Sequence, residues 1–406
     1  AKRSHGNEVA LTWDLMAATE LQPGEAVMVG LPLFHCNGTC VTGLLPFSLG
    51  GEVVILSPAG YRNPSIMKNF YKIVEHFKPV FFSCVPTVLS VLLDIPVAGA
   101  DISSLRYLIC GAAPLSVELF RRFEAHSGMK ILEGYGLTES TCASCVNPKD
   151  GERKIGSIGL RLPYQQVKVM ILDAQGNYAR DAAVDEIGVV CMSGPTAFKG
   201  YVEAQHNKGL WVKPGWFSTG DMGRMDKDGF FWLTGRMKEL IIRGGHNIDP
   251  ATIEEPLYKM SGIKMAAAVG RPDAHAGEVP VAYVEVAEGA GIKESDIVEW
   301  VRTHIGERAA VPKEVYIVKH IPLTAVGKIF KPALRWDATQ RAYAKELAAL
   351  GALAKTVAVT VAEDKVHGTN ATIRIQAAKG ADAAEIKTRV AELLARFTVH
   401  YDLIVS

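Results

Sequence analysis

The 406-residue chain has no apolar run that approaches membrane-spanning length, so an integral membrane segment is not expected. It has no excess of charge of either sign. Lys and Arg number 44 against 43 Asp and Glu, for a formal net charge of +1. Nothing therefore points to nucleic acid or an anionic membrane as partner. Cysteine is sparse and scattered: Cys36, Cys40, Cys84, Cys110, Cys142, Cys145 and Cys191. The odd count and loose spacing do not suggest a disulfide framework. Cys142 and Cys145 make one C-x-x-C, but no second pair or nearby histidines complete a zinc site. Reduced, buried thiols in a cytoplasmic protein are the expected state. Internal repeats and low-complexity segments are also missing.

What is present is ordinary globular material: 48% apolar and 21% charged residues, in a chain long enough for two or three domains. From about residue 64 helical and strand patterns alternate. "PSIMKNFYKIVEHFKP" places Ile66, Phe70, Ile73, Val74 and Phe77 on one helical face, with Pro64 suited to the first turn. "VFFSCV" is a buried strand, "TVLSVLLDI" a helix and "LRYLICGAA" a strand. "SVELFRRFEAHSG" is a helix closed by Gly128, and "MKILEGYG" a strand and turn. The fold class is α/β, a βαβαβ parallel-sheet unit within residues 1–150. Short strands broken by Gly and Asp predict a β-rich subdomain over 151–235. A small α+β domain comes next, over 236–349. Residues 350–406 form a separate β-β-α-β module, whose helix starts at Asp382 with Glu385 three residues on and carries Ile386, Val390, Leu393, Leu394 and Phe397 on one face.

Five stretches have residues suited to phosphate and sugar chemistry, and each also has a purely structural reading. "ILEGYGLTEST", Ile131–Thr141, offers Gly134 and Gly136 for close backbone approach, a Thr138 hydroxyl, and a hard Glu139 carboxylate suited to Mg²⁺. It also reads as a helix start, with Thr138 as cap and Glu139 favouring the dipole. "CGAAPLS", Cys110–Ser116, would let a flat ring lie on backbone, or be a tight turn with Pro114 starting a helix. "WFSTGD" ends in Asp221, an acceptor for ribose hydroxyls or a turn aspartate bonding its own backbone. "GRMKELIIRGGHN" carries Arg236 and a Gly244-Gly245 pair, in a binding strand or in a linker and hairpin. "PLTAVGKIFK" places Lys328 in a polar loop, where a lone lysine is normally solvated.

Taken together and in this order, with "LPLFHCNG" and "EIGVVCMSGP", the stretches resemble the adenylate-forming superfamily of acyl-CoA synthetases, luciferases and peptide-synthetase adenylation domains. The match runs from about Leu31 to Lys331. The resemblance implies that Gly111, Ala112 and Ala113 lie beside adenine, that Tyr135 flanks the ring, and that Gly136 lines the acyl end. It implies Thr138 on the α-phosphate, Glu139 on Mg²⁺, and Asp221 and Arg236 at the ribose. Lys328 would reach the carboxylate and α-phosphate, His35 would gate the acyl pocket from the thiol tunnel, and Arg243, Gly244 and Gly245 would flank pantetheine. Lys238 holds the place of the family's hinge. The implied activity is ATP-dependent carboxylate–CoA ligation through acyl-AMP, with ATP/AMP, Mg²⁺ and coenzyme A as cofactors and a small carboxylic acid as substrate. An adenylation domain loading a carrier protein and a non-catalytic nucleotide- or CoA-binding fragment are the alternatives. No carrier-like segment with a modifiable serine lies beyond Lys328.

One departure is clear. The family's Ser/Thr/Gly-rich phosphate loop ending in Pro-Lys is missing, and the chain starts at "AKRSHGN", which resembles the family's segment just beyond that loop. The resemblance implies a carboxy-terminal fragment that adenylates poorly by itself, with an exposed apolar face and a possible homodimer.

Overall fold

Short apolar runs set the first sheet, since a strand buried on both faces needs apolar residues at successive positions. The computed structural model describes residues 1–97, 99–364 and 367–406. It has two units: Ala1–Lys238 with Thr324–Lys328, and Glu239–Leu323 with Ile329–Ser406.

In the first unit, β1 (Ala26–Val29), β2 (Glu52–Ile55), β3 (Phe81–Cys84), β4 (Tyr107–Cys110), β5 (Ile131–Gly136), β6 (Ala143–Val146) and β7 (Leu160–Arg161) form one sheet in the order β2-β1-β3-β4-β5-β6-β7. Pairing is parallel from β2 to β5 and antiparallel onward through β6 and β7. Side chains alternate between the faces. Phe82, Leu108 and Ile131 join a core with Phe70, Leu89 and Phe123 of the crossover helices. Their neighbours Phe81, Tyr107 and Leu132 join another with Leu11 and Leu15.

Two features went unread in the sequence. Residues before 64 contribute a helix, His5–Thr19, β1, a π-helical turn, Asn37–Leu44, and β2. Ser4 caps the first helix, accepting from Asn7 N at 3.2 Å while Asn7 Oδ1 accepts from Ser4 N at 2.8 Å. The helix expected from Pro64 is two, Pro64–Lys68 and Phe70–Phe77. Asn69 leaves helical geometry (φ −105°, ψ 14°), and the buried stripe becomes Met67, Phe70, Tyr71 and Val74. Phe77 is left 49% exposed.

A second, antiparallel sheet joins β8 (Gln166–Leu172), β9 (Tyr178–Asp181), β10 (Gly188–Ser193), β11 (Trp211–Lys213), β12 (Trp216–Met225) and β13 (Phe231–Arg236), around Val169, Val190, Phe198, Phe217 and Phe231. The fold class is therefore mixed α/β, a parallel sheet followed by antiparallel ones, as expected.

The second unit pairs β14 (Ile241–Arg243), β15 (His246–Ile248), β16 (Ile263–Asp273), β17 (Gly277–Val286) and β18 (Glu314–Ile317), with helices Ala251–Tyr258 and Glu294–His304 on one core. Helix Lys331–Leu347 covers the other side of that sheet through Leu334 and Ala338. Its later residues Tyr343 and Leu347 enter the core of β19 (Ala354–Asp364), β20 (Gly368–Ala377), β21 (His400–Val405) and helix Ala383–Leu394. Asp382 caps that last helix, accepting from Ala384 N at 3.0 Å. Ile386, Val390 and Leu394 are buried, with Leu393 and Phe397 packed beside them. All seven cysteines are free and buried. No helix among the described residues is long and apolar enough to cross a membrane.

Candidate functional site

The site grows from the carboxyl ends of β4 and β5. A Cβ at Gly111 would lie 2.5 Å from Gly134 O, and one at Gly136 would lie 1.6 Å from Cys142 O. Both positions therefore require glycine, and two stretches of bare backbone run side by side. Ala112 holds φ +67°, a left-handed conformation costly for alanine. The helix after β4 starts at Val117, capped by Ser116 Oγ on Leu119 N at 3.1 Å, and not at Pro114. The serine wins because its hydroxyl satisfies a free N–H of the first turn, which proline cannot do.

After β5 the chain makes a 3₁₀ turn, Thr138–Ser140. Thr141 leaves it at φ +71° and is held by its hydroxyl on Thr196 O (2.7 Å) and by Arg3 Nη1 on its carbonyl (2.9 Å). Thr138 is exposed and Glu139 half-buried. Tyr201 Oη donates to Glu139 Oε1 at 2.5 Å, and Phe198 N donates to Glu139 O at 2.8 Å. Burial and this carboxylate push the Tyr201 hydroxyl pKa up, so it stays a donor. Sequence reasoning missed Tyr201, which lies 62 residues from its partner.

Asp221 sits within β12, not on the turn expected for it, with Gly220 at φ +76° just before it. The glycine makes a local irregularity that a strand pattern does not reveal. Asp221 is 3% exposed. Its Oδ2 accepts the Tyr135 hydroxyl, and its Oδ1 accepts Arg236 Nε at 2.8 Å from the register-paired position on β13. Burial, and then Asp221, raise the Tyr135 pKa well above the usual phenol value. Tyr135, Asp221 and Arg236 thus form one constellation.

His35 is half-buried just before the π-helical turn, and its Nδ1 accepts Asn37 N at 3.3 Å. Burial and then Lys328 lower its pKa, favouring the neutral ring. Next to it, Cys36 Sγ lies 3.9 Å from Thr138 Oγ1. A hydrogen bond from Cys142 holds the Cys36 thiol low, and the Cys142 thiol is correspondingly raised. Lys328 closes a tight loop: Thr324 N donates to Lys328 O at 2.7 Å, and Thr87 Oγ1 donates to Gly327 O at 2.7 Å. Burial, and then Arg236, lower the Lys328 pKa, while Cys36, Cys142 and Asp221 pull it back up. The first unit therefore brings His35, Tyr135, Thr138, Asp221, Arg236 and Lys328 into one electrostatic neighbourhood. Glu139 continues it through the Thr138 turn.

Arg243, Gly244 and Gly245 belong to the second unit. The two glycines turn the β14–β15 hairpin at φ +56° and +85°, and Arg243 Nη1 donates to Ala309 O at 2.5 Å. Lys238 is the last residue of the first unit's main segment.

Among the described residues no three His, Cys, Asp or Glu side chains cluster to hold a metal. A single carboxylate, Glu139, beside a hydroxyl suits an ion that keeps water and phosphate oxygens as its other ligands, which is the habit of Mg²⁺.

The chain matches the family model described as AMP-binding enzyme over residues 1–202 and that of the AMP-binding enzyme C-terminal domain over 252–328, together well over half its length. It is 44% identical over 330 residues to a marinolic acid–CoA ligase of Pseudoalteromonas sp. (strain SANK 73390), covering 81% of this chain and 50% of that protein. It is 34% identical over 340 residues to a feruloyl-CoA synthase of Amycolatopsis sp, covering 82% and 66%. ATP-bound MatB from Rhodopseudomonas palustris has a similar structure, with TM-score 0.74 and 28% identity over 82% of this chain and 64% of that one. The chain spans about half to two thirds of the length of these proteins. With its motifs in the family's order and its fold matching, the chain belongs to the adenylate-forming family of AMP-binding enzymes.

Proposed function

We propose that this chain carries the nucleotide-, acyl- and thiol-handling parts of an AMP-forming carboxylate–CoA ligase that works through acyl-AMP. The Tyr135–Asp221–Arg236 constellation beside the Thr138–Glu139 turn carries this reading. Asp221 offers a buried carboxylate with two oxygens for two ribose hydroxyls. Tyr135 and the backbone of Gly111, Ala112 and Ala113 offer flat surfaces for adenine. Thr138 donates to an α-phosphate oxygen, and Lys328 places its ammonium where charge gathers as a carboxylate attacks the α-phosphorus. Glu139 and the neighbouring Thr138 hydroxyl would hold Mg²⁺, which when bound neutralises phosphate charge. His35 in its neutral form borders the acyl pocket, Gly136 lines its end, and Arg243, Gly244 and Gly245 flank the thiol's approach. Lys238 is the pivot about which the lysine loop is exchanged for that strand between the two half-reactions.

The names of the relatives support this reading at the level of acid–thiol ligation. The 406 residues contain no Ser/Thr/Gly-rich phosphate loop to cradle the β- and γ-phosphates. We accordingly propose that this chain alone forms acyl-AMP weakly, yet turns preformed acyl-AMP and CoA into thioester. Pyrophosphate release over a panel of carboxylic acids tests the first half, and thioester formation from synthetic acyl-AMP tests the second. Pyrophosphate release at the rate of a complete ligase, or no thioester, would contradict the proposal.

A further inference from the structure

Glu139 is gripped at both its backbone and its side chain by one distant segment, residues 198–201. Phe198 N donates to the Glu139 carbonyl at 2.8 Å, and Tyr201 Oη donates to its Oε1 at 2.5 Å. That segment is itself held from several directions. The Phe198 ring is 2% exposed and meets Tyr201 edge-on, with ring centroids 5.0 Å apart. Asn207 clasps the backbone of Tyr201: its Oδ1 accepts Tyr201 N at 2.7 Å, and its Nδ2 donates to Tyr201 O at 3.2 Å. Gly200 makes room for that amide, since a Cβ there would lie 2.6 Å from Asn207 Oδ1. Lys2 adds a short backbone pairing, donating to Gly200 O at 2.8 Å and accepting from Lys199 N at 3.0 Å.

The carboxylate at the end of this framework is half-buried, beside the exposed Thr138. Among the described residues Glu139 has no ion pair, and its one side-chain hydrogen bond is that from Tyr201. The donor is neutral, since a phenol keeps its proton up to about pH 10. A neutral donor is what a metal carboxylate needs. Lysine or arginine would fix the group but offset the negative charge that attracts a divalent cation. Tyrosine restricts the carboxylate and leaves its charge in place. The rotamer freedom of the glutamate is then lost on folding and not when an ion arrives.

We propose that Tyr201 is a positioning residue for the divalent-cation site, holding Glu139 through Oε1 and itself held by Asn207. The inference rests on the reading of Glu139 as the Mg²⁺ carboxylate. Groups that orient a metal ligand contribute about 10- to 100-fold to metal affinity.

The test is calorimetric titration of the 406-residue chain with ATP, in EDTA and in saturating Mg²⁺, and with AMP in EDTA. The quantity read is the ratio of the ATP dissociation constant without Mg²⁺ to that with it. Variant and parent share the same Mg²⁺–ATP equilibrium in solution, so a change in the ratio belongs to the protein. Glu139→Gln should lower the ratio, and Tyr201→Phe should lower it about tenfold or more, with AMP binding in EDTA unchanged. Asn207→Ala keeps the phenol but frees its backbone. It should lower the ratio in the same direction, and it decides the matter alone if Tyr201→Phe does not fold. If ATP does not bind, or if Glu139→Gln leaves the ratio unchanged, the cation reading fails and this inference falls with it. If Glu139→Gln lowers the ratio while Tyr201→Phe or Asn207→Ala does not, only the positioning role is overturned. An equal loss of AMP affinity in EDTA in Tyr201→Phe would make the tyrosine a general support of the turn and would overturn that role too.

Discussion

Tyr135 and Asp221 should be energetically coupled, and in opposite senses for folding and for nucleotide. The Asp221 carboxylate is 3% exposed and accepts both the Tyr135 hydroxyl and Arg236 Nε. A hydrogen bond to a charged group contributes about 1.5–3 kcal/mol. Tyr135→Phe removes the donor but keeps the ring. Asp221→Asn keeps the shape but removes the charge. Each should destabilise the fold, and the double variant should lose less than the sum. The expected coupling is about 1–2 kcal/mol from a cycle of urea unfolding curves. AMP binding should separate the two. Asp221→Asn should weaken it by about 10- to 100-fold, the equivalent of about 1.4–2.8 kcal/mol. Tyr135→Phe should leave it equal or tighter, because the hydroxyl competes with ribose for the Oδ2 atom. Calorimetric titration with AMP reads both. A coupling below about 0.5 kcal/mol, or equal losses of AMP affinity in the two variants, would refute this assignment.

Asp14 is fully buried, accepts Gln165 Nε2 at 2.8 Å, and has its pKa raised by burial from 3.8 to about 6. The folded state thus holds the proton more tightly, and stability falls as pH rises from about 4 to 6, by about 3 kcal/mol at 1.36 kcal/mol per pKa unit. Asp14→Asn should flatten that slope and raise the melting temperature at pH 7; an unchanged pH profile would count against it. Gly136→Ala places a methyl 1.6 Å from Cys142 O, and should cost more than about 3 kcal/mol by thermal unfolding; a near-neutral variant would contradict the close backbone approach. Lys328→Ala should cripple acyl-AMP formation in a complete ligase while largely sparing thioester formation from preformed acyl-AMP. Equal losses in the two half-reactions would contradict its role.

The parallel unit was legible because β3, β4 and β5 are apolar runs with turn signals at fixed places. The helix closed by Gly128 was legible for the same reason, and Gly128 indeed caps it at φ +70°. The break at Asn69 was not, because asparagine within a helical pattern carries no sharp signal and tertiary packing selected Met67 and Tyr71 over Ile66 and Phe77. The residues before Pro64 were not read as elements because their helix is apolar around much of its circumference. The π-helical turn after Cys36 likewise has no sequence signature. Within the site, glycines and acids stood out by type, so Gly111, Gly136, Glu139 and Asp221 were named. Tyr201 and Cys36 were not, since they meet the Thr138 turn only through long-range folding. Arg236 was placed near the ribose by resemblance alone; what the structure adds is its register opposite Asp221 on the neighbouring strand.

The most direct measurement is calorimetric titration of AMP into the 406-residue chain and into its Asp221→Ala variant. A single site, weakened at least about tenfold by removal of a carboxylate worth about 1.4 kcal/mol or more, is the predicted result. Absence of AMP binding, or binding that ignores the loss of Asp221, would contradict the proposed nucleotide site.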